Sequence, residues 1–165
     1  MYRYFILALA LALALTACGT SSTFQQPADI YNPNPTAYPF HYGSPYIDMF
    51  WHCMSPEGGG VSIAGYVATS NNQNLPPQNF SVILKAFNAK GEKLTQRFVY
   101  GDNLSPDQFD PVPFEVSLPA VAGAAKYDLY YDFFVRDGRD KLQQFWTVKD
   151  VCGGRYRRKE VPPGS

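Results

Sequence analysis

The chain is predicted to be all-β: a seven-stranded antiparallel sandwich behind an extended N-terminal tether. Three observations carry this expectation. Apolar and polar residues alternate with a period of two in run after run, which turns one strand face to a core and the other to water. Gly, Pro and Asn clusters break the runs every 8–12 residues or so, the turn spacing of sandwiches. The chain is rich in rings, with 12 Tyr and 12 Phe in 165 residues, while helix formers are sparse beyond the first 17; aromatic side chains favour pleated, half-buried surfaces.

The strands follow in order. Residues 49–54 (Met-Phe-Trp-His-Cys-Met) form the first, and Pro56-Glu57-Gly58-Gly59-Gly60 is a turn. Residues 61–69 follow, with Val61, Ile63, Gly65 and Val67 on one face. A polar loop with Asn71-Asn72 and Pro76-Pro77 leads to residues 80–88, where Phe80, Val82, Leu84 and Ala86 point inward and Ser81 and Lys85 outward. Ala89-Lys90-Gly91 is a tight turn in which Gly91 takes positive φ without strain. Residues 94–100 are a weaker strand, and a loop over 101–111 leads to the short strand 113–118. Residues 126–135 form the strongest strand, with Tyr127, Leu129, Tyr131, Phe133 and Val135 on one face. Asp137-Gly138 turns the chain into the last strand, 141–148. Tyr66, Phe87, Tyr130 and Phe134 fall on the faces opposite these core stripes. There they form either a partner surface or a patch covered by the tether.

Before the strands, Arg3 and the apolar run 5–15 have the order of a secretory signal. The apolar run is shorter than the roughly 20 residues that a membrane-spanning helix needs. It ends in Leu15-Thr16-Ala17-Cys18, which resembles the lipobox of bacterial lipoproteins. The resemblance implies cleavage before Cys18, diacylation of its thiol and, in many Gram-negative bacteria, a third chain on the new amino terminus. Gly19 in place of Asp implies the outer membrane, facing the periplasm. An ordinary signal peptide cleaved nearby is the competing reading. Two or more acyl chains give stable anchoring where one gives marginal binding.

Domain limits follow: signal peptide 1–17, acylated tether 18–48, sandwich 49–152 and a basic, disordered tail 153–165. The tether begins Gly19-Thr20-Ser21-Ser22-Thr23 and continues with five prolines from Pro27 to Pro45. In polyproline geometry, at about 3.1 Å per residue, it would reach roughly 90 Å. Its second half interleaves Tyr31, Tyr38, Phe40, Tyr42 and Tyr46 with those prolines. Rings are costly to leave in water, so part of it is expected to pack on the domain, with partner recognition as the alternative.

With Cys18 acylated, Cys53 and Cys152 remain, and the periplasm is oxidising. They are expected to pair, closing a loop of about 100 residues, for which chain entropy gives an upper figure of about 4.7 kcal/mol. Two separate thiols are the alternative.

Formal charge balances at 14 basic and 14 acidic residues, but Arg155, Arg157, Arg158 and Lys159 gather four cations near the end. They form either a solvated tail or a contact for envelope anions such as lipid headgroups, lipopolysaccharide phosphates or peptidoglycan carboxylates. No nucleic-acid partner is expected outside the cytoplasm.

The run Val121-Ala122-Gly123-Ala124-Ala125-Lys126-Tyr127 resembles the tyrosine corner of immunoglobulin-like and fibronectin type III sandwiches, which implies that the Tyr127 hydroxyl bonds back to upstream backbone. Val61-Ser62-Ile63-Ala64-Gly65-Tyr66-Val67, Phe87-Asn88-Ala89-Lys90-Gly91 and Pro113-Phe114-Glu115-Val116-Ser117-Leu118-Pro119 resemble segments of small bacterial envelope domains of the FxLYD-like type. Phe87-Asn88 departs from their characteristic Tyr-Asp. The resemblance implies an immunoglobulin-like fold and no catalysis.

Catalytic signals are weak. His41 and His52 are the only histidines, and no Gly-x-Ser-x-Gly elbow is present. His52-Cys53 is one pair of metal-ligand types with no second cluster, so no metal or cofactor is expected. Asp102, Asn103, Asp107 and Asp110 crowd one loop without the spacing of a calcium-binding loop, which suits a solvated acidic loop. Asp128 and Asp132 stand on one strand face as outward acids. Gly58-Gly59-Gly60 opens a strand and lacks a following Lys, so it is not a phosphate loop. The expectation is a lipid-anchored envelope protein that acts as a non-catalytic binding or structural module for an envelope protein. A carbohydrate or peptidoglycan binder using outward aromatics and the basic tail is the alternative.

Overall fold

The computed structural model describes residues 24–70, 78–100, 110–137 and 140–159. Among them the chain forms eight strands: β1 (Phe40–Gly43), β2 (Ile47–Met54), β3 (Gly60–Thr69), β4 (Gln78–Phe87), β5 (Lys93–Tyr100), β6 (Val112–Pro119), β7 (Lys126–Asp137) and β8 (Asp140–Val148). They make two four-stranded sheets, ordered β1-β2-β3-β6 and β5-β4-β7-β8, and every pairing is antiparallel. The all-β, two-sheet expectation holds, with eight strands rather than seven. The added strand is β1, which the sequence hides among prolines in the stretch expected to be tether. Phe40 and Tyr42 turn inward while His41 stacks outside on Phe50, so the four-residue run follows the same alternation as the longer strands.

The inward stripes fill the space between the sheets. Trp51, Ile63, Val67, Phe80, Leu84, Leu129 and Phe133 are fully buried there. The indole of Trp51 lies parallel to Phe40 at 5.7 Å and donates to the Val151 carbonyl at 3.0 Å. Directly across from Trp51 stands Gly65. A Cβ there would fall on the Phe50 carbonyl oxygen and lie 2.8 Å from the Trp51 Cα, so only glycine lets the β3 backbone approach β2 this closely. Where β5 passes β6, the Arg97 guanidinium reaches the Ser117 carbonyl at 3.5 Å and helps close that seam. Cys53, near the end of β2, is bonded to Cys152 beyond β8, with Cα atoms 5.8 Å apart.

Both ends of the described chain fasten onto the first sheet. Residues 24–39 form a strap across its outer face, where Ile30, Tyr31 and Tyr38 cover Phe50, Tyr66 and Ala68 in a second small core. Two local devices shape the strap: Asp29 Oδ1 accepts the Tyr31 and Asn32 amides, and the Asn34 carbonyl accepts those of Ala37 and Tyr38. Behind the disulfide, a short 3-10 turn (Gly154–Tyr156) brings Arg157 into a bridge with Phe40 on β1, and the Arg158 amide donates to the Pro39 carbonyl at 2.8 Å. The Arg158 guanidinium then ties down the strap, donating to the Pro33 carbonyl and to Asn32 Oδ1, each at 2.6 Å.

These contacts revise the expected boundaries. The first sheet begins at Phe40 instead of Met49, and packed chain continues to Arg158. Residues 24–48 follow the sandwich surface, so the roughly 90 Å reach expected of a free polyproline tether does not apply to them. Residues 1–23 and 160–165 lie outside the described residues.

Candidate functional site

Two surfaces stand out. The first is a cleft of about 390 Å³ on the outer face of the first sheet, at the open edge of the strap. Its floor follows from register: His52 pairs with Ala64, and Ala64 with Glu115. The Ala64 methyl therefore lies between two longer side chains whose strands are about 9–10 Å apart. Tyr38, Phe24 and Gln25 of the strap form the opposite wall, and Pro113 lines the β6 side. The Tyr38 ring tilts toward His52 at 6.2 Å, and burial raises the Tyr38 phenol pKa. His52 Nδ1 is buried and has no hydrogen-bond partner among the described residues. Among the described residues Glu115 is the only formally charged one lining the cleft. It is exposed and forms no ion pair among the described residues.

Beside the cleft sits Tyr66. Its position on β3 aims it outward, yet the strap buries it completely. The hydroxyl donates to the Ile30 carbonyl at 2.9 Å, Phe50 stacks on it at 5.4 Å, and Tyr38 meets it edge-on at 5.1 Å. Burial pushes its phenol far above the ordinary range.

The second surface is the outer face of the second sheet. Register places Ile83, Lys85 and Phe87 of β4 beside Tyr130, Asp128 and Lys126 of β7, with Phe98 and Gln96 of β5 on one flank and Thr147, Phe145 and Gln143 of β8 on the other. Three lysines sit over rings: Lys85 at 3.5 Å from Tyr130, Lys141 at 3.9 Å from Phe134 and Lys126 at 5.2 Å from Phe87. Such cation–π contacts pair each ammonium with the negative ring face. Phe145 is 70% exposed. Lys93 and Arg136 add to the positive charge of this face. Its two acids are already engaged: Asp132 accepts the Ser81 hydroxyl, and Asp128 accepts the Asp150 amide at 2.9 Å. Asp128 stands on the outer face as expected, but it is only 3% exposed, with Lys126 at 3.9 Å, so it is a buried structural carboxylate and not a solvated acid.

The other sequence-predicted residues fall as follows. Cys18 lies outside the described residues, as do Asp102, Asn103 and Asp107 of the acidic loop. Asp110 is exposed at the edge of the described segment. Cys53 and Cys152 are joined. Tyr127 packs against the core and its carbonyl accepts the Val151 amide at 2.8 Å. Its hydroxyl makes no hydrogen bond among the described residues, so the tyrosine-corner bond is not formed there. His41 Nε2 is 2.8 Å from Asp48 Oδ1 and its ring stacks on Phe50, while the His52 ring faces Tyr38. The basic run is divided. Arg158 holds the strap, Arg155 lies 5.5 Å from the Tyr156 ring and Arg157 lies 5.4 Å from the Phe40 ring, while Lys159 is exposed. Among the described residues no group of three or more His, Cys, Asp or Glu is placed to hold a metal.

The sequence reading missed Glu115, Ala64 and the lysines over the rings. Alternation marked their faces, but cross-strand register decides which outward residues meet. No protein-family model, curated protein or solved structure matches this chain. The lipobox and envelope-domain likenesses therefore rest on the quoted residues.

Proposed function

We propose that the protein is a bacterial envelope lipoprotein, anchored through acylated Cys18 at the periplasmic side of the outer membrane, whose sandwich is a non-catalytic binding module. The Cys53–Cys152 bond carries this reading. Such a staple persists in an oxidising compartment and not in a reducing cytosol, which is where Leu15-Thr16-Ala17-Cys18 would send the chain. The strand order supports an immunoglobulin-like description. With β1 set aside, β2-β3-β6 face β5-β4-β7-β8 through Greek-key crossings.

The proposed partner surface is the outer face of the second sheet, where an exposed Phe145 sits among lysine-capped rings. From Cys18 to Phe24 the chain has six steps, at most about 20 Å when fully extended. Phe24 lies on the first sheet, so the leash holds that side near the bilayer and turns the second sheet toward the periplasm. Anchoring raises local concentration enough for a modest contact to suffice. Since Arg158 is committed to the strap, the alternative of an envelope-polymer binder rests on the aromatic face more than on the basic tail.

The test is photocross-linking in intact cells from position 145 of the full-length chain, beside a Cys18→Ser form. A discrete protein adduct that disappears in the unanchored form is the expected result. Adducts only to glycan or lipid would overturn the protein-partner reading.

A further inference from the structure

We infer that the cleft between the strap and the first sheet is a binding site for a lysine side chain presented by a protein or peptide. Four observations converge on that ligand. The volume of about 390 Å³ is at the small end of ligand sites, suiting one anchoring side chain better than an extended polymer. The floor is the Ala64 methyl, low enough to admit a slender aliphatic stem between His52 and Glu115. The walls supply the rings of Phe24 and Tyr38, against which methylenes pack and toward whose faces an ammonium is drawn. Among the described residues the only formal charge lining the cleft is the Glu115 carboxylate, which forms no ion pair with any of them. An anionic ligand would meet that carboxylate with no lysine or arginine among the described lining residues to offset it. A lysine ammonium finds a charge-assisted acceptor in it. His52 Nδ1, without a partner among the described residues, can supply a second acceptor after rotation about χ2.

The site needs neither the acyl chain nor the face of the second sheet. Its failure would leave the proposed function standing, and the reverse also holds.

The experiment is an NMR titration of the full-length, disulfide-bonded protein in detergent with Nα-acetyl-lysine methylamide. Its Nε-acetylated analogue and glycerophosphoethanolamine, the free headgroup of an ethanolamine lipid, are titrated in parallel. The lysine probe should shift the His52, Ala64 and Glu115 amides saturably, and added salt should weaken the effect. Glu115→Gln should weaken binding about tenfold, the effect of one charge-assisted hydrogen bond. Asp48→Asn, on the same face but outside the cleft, should leave binding unchanged. Equal binding by the acetylated analogue would overturn the inference, as would no shift with the lysine probe. Shifts produced by the lipid headgroup and not by the lysine probe would overturn it in favour of a lipid contact. Both substitutions lie on the outer face, and the unperturbed core resonances of Leu84 and Leu129 report that each variant is folded.

Discussion

Two buried tyrosines show how a single atom decides a residue's worth. The Tyr66 hydroxyl has a partner in the Ile30 carbonyl, whereas the Tyr131 hydroxyl is buried with no partner in hydrogen-bond geometry among the described residues, although Tyr42 and Ser44 lie nearby. Tyr66→Phe is therefore expected to cost about 1 kcal/mol, and Tyr131→Phe to be neutral or stabilising. The urea midpoints of the two variants should move apart accordingly. Both phenols have pKa values raised above the ordinary one, chiefly by burial. A group raised in the folded state contributes stability that is fully present below its unfolded pKa of about 10 and is lost as pH climbs beyond that value. Folding stability should be flat across neutral pH and fall above about pH 10, and less steeply in Tyr66→Phe. An alkaline fall of equal slope in that variant would contradict the assignment. At this scale the sequence was half legible. Alternation put Tyr66 on the outward face of β3, and the tyrosine-rich tether was a candidate cover. The Ile30 carbonyl that satisfies it is 36 residues away, and local pattern carries no such information.

Among the elements, the strap depends on the C-terminal turn more than on its own sequence. It contains no strand or helix, and the guanidinium of Arg158 joins it to the end of the chain across 125 residues. Arg158→Ala should release the strap while leaving the sandwich folded, since the side chain touches the strap and the Phe50 ring but not the inter-sheet core. The expected cost is about 1–2 kcal/mol, the range for hydrogen bonds to a charged donor that keeps some solvent exposure. Hydrogen exchange should quicken at the Tyr31 and Tyr38 amides and stay slow in β4 and β7. Equal quickening in all of these would mean that strap and sandwich unfold as one unit. The strands themselves were legible most plainly in β4, β6 and the second half of β7, where buried and more open positions alternate. β1 was not, because four residues flanked by prolines give too little alternation to outweigh the turn signals around them. The role of Arg158 was hidden for a different reason: four cations in five residues look like a solvated cluster until the oxygens that Arg158 meets are in place.

At the scale of the whole molecule, a single covalent staple spans 99 residues and fastens β2 to the segment that carries Val151, Cys152 and Arg158. Reduction, or Cys53→Ser with Cys152→Ser, should lower stability by several kcal/mol, with about 4.7 as the upper figure from chain entropy. Thermal unfolding with and without reductant checks this. The fold class and the cysteine pair were legible from period, turn spacing and compartment. The leash length was not, because Pro-rich chain looks the same whether it is free or laid along a sheet. With residues 24–39 held on the first sheet, the proposed anchor at Cys18 would keep the sandwich close to a bilayer. Mass spectrometry of the protein purified from bacterial membranes, after feeding an alkyne fatty acid, tests that claim most directly. The expected result is a mature chain beginning at Cys18, carrying label that is lost in Cys18→Ser. A chain cleaved elsewhere, or an unlabelled Cys18 on a soluble protein, would contradict it.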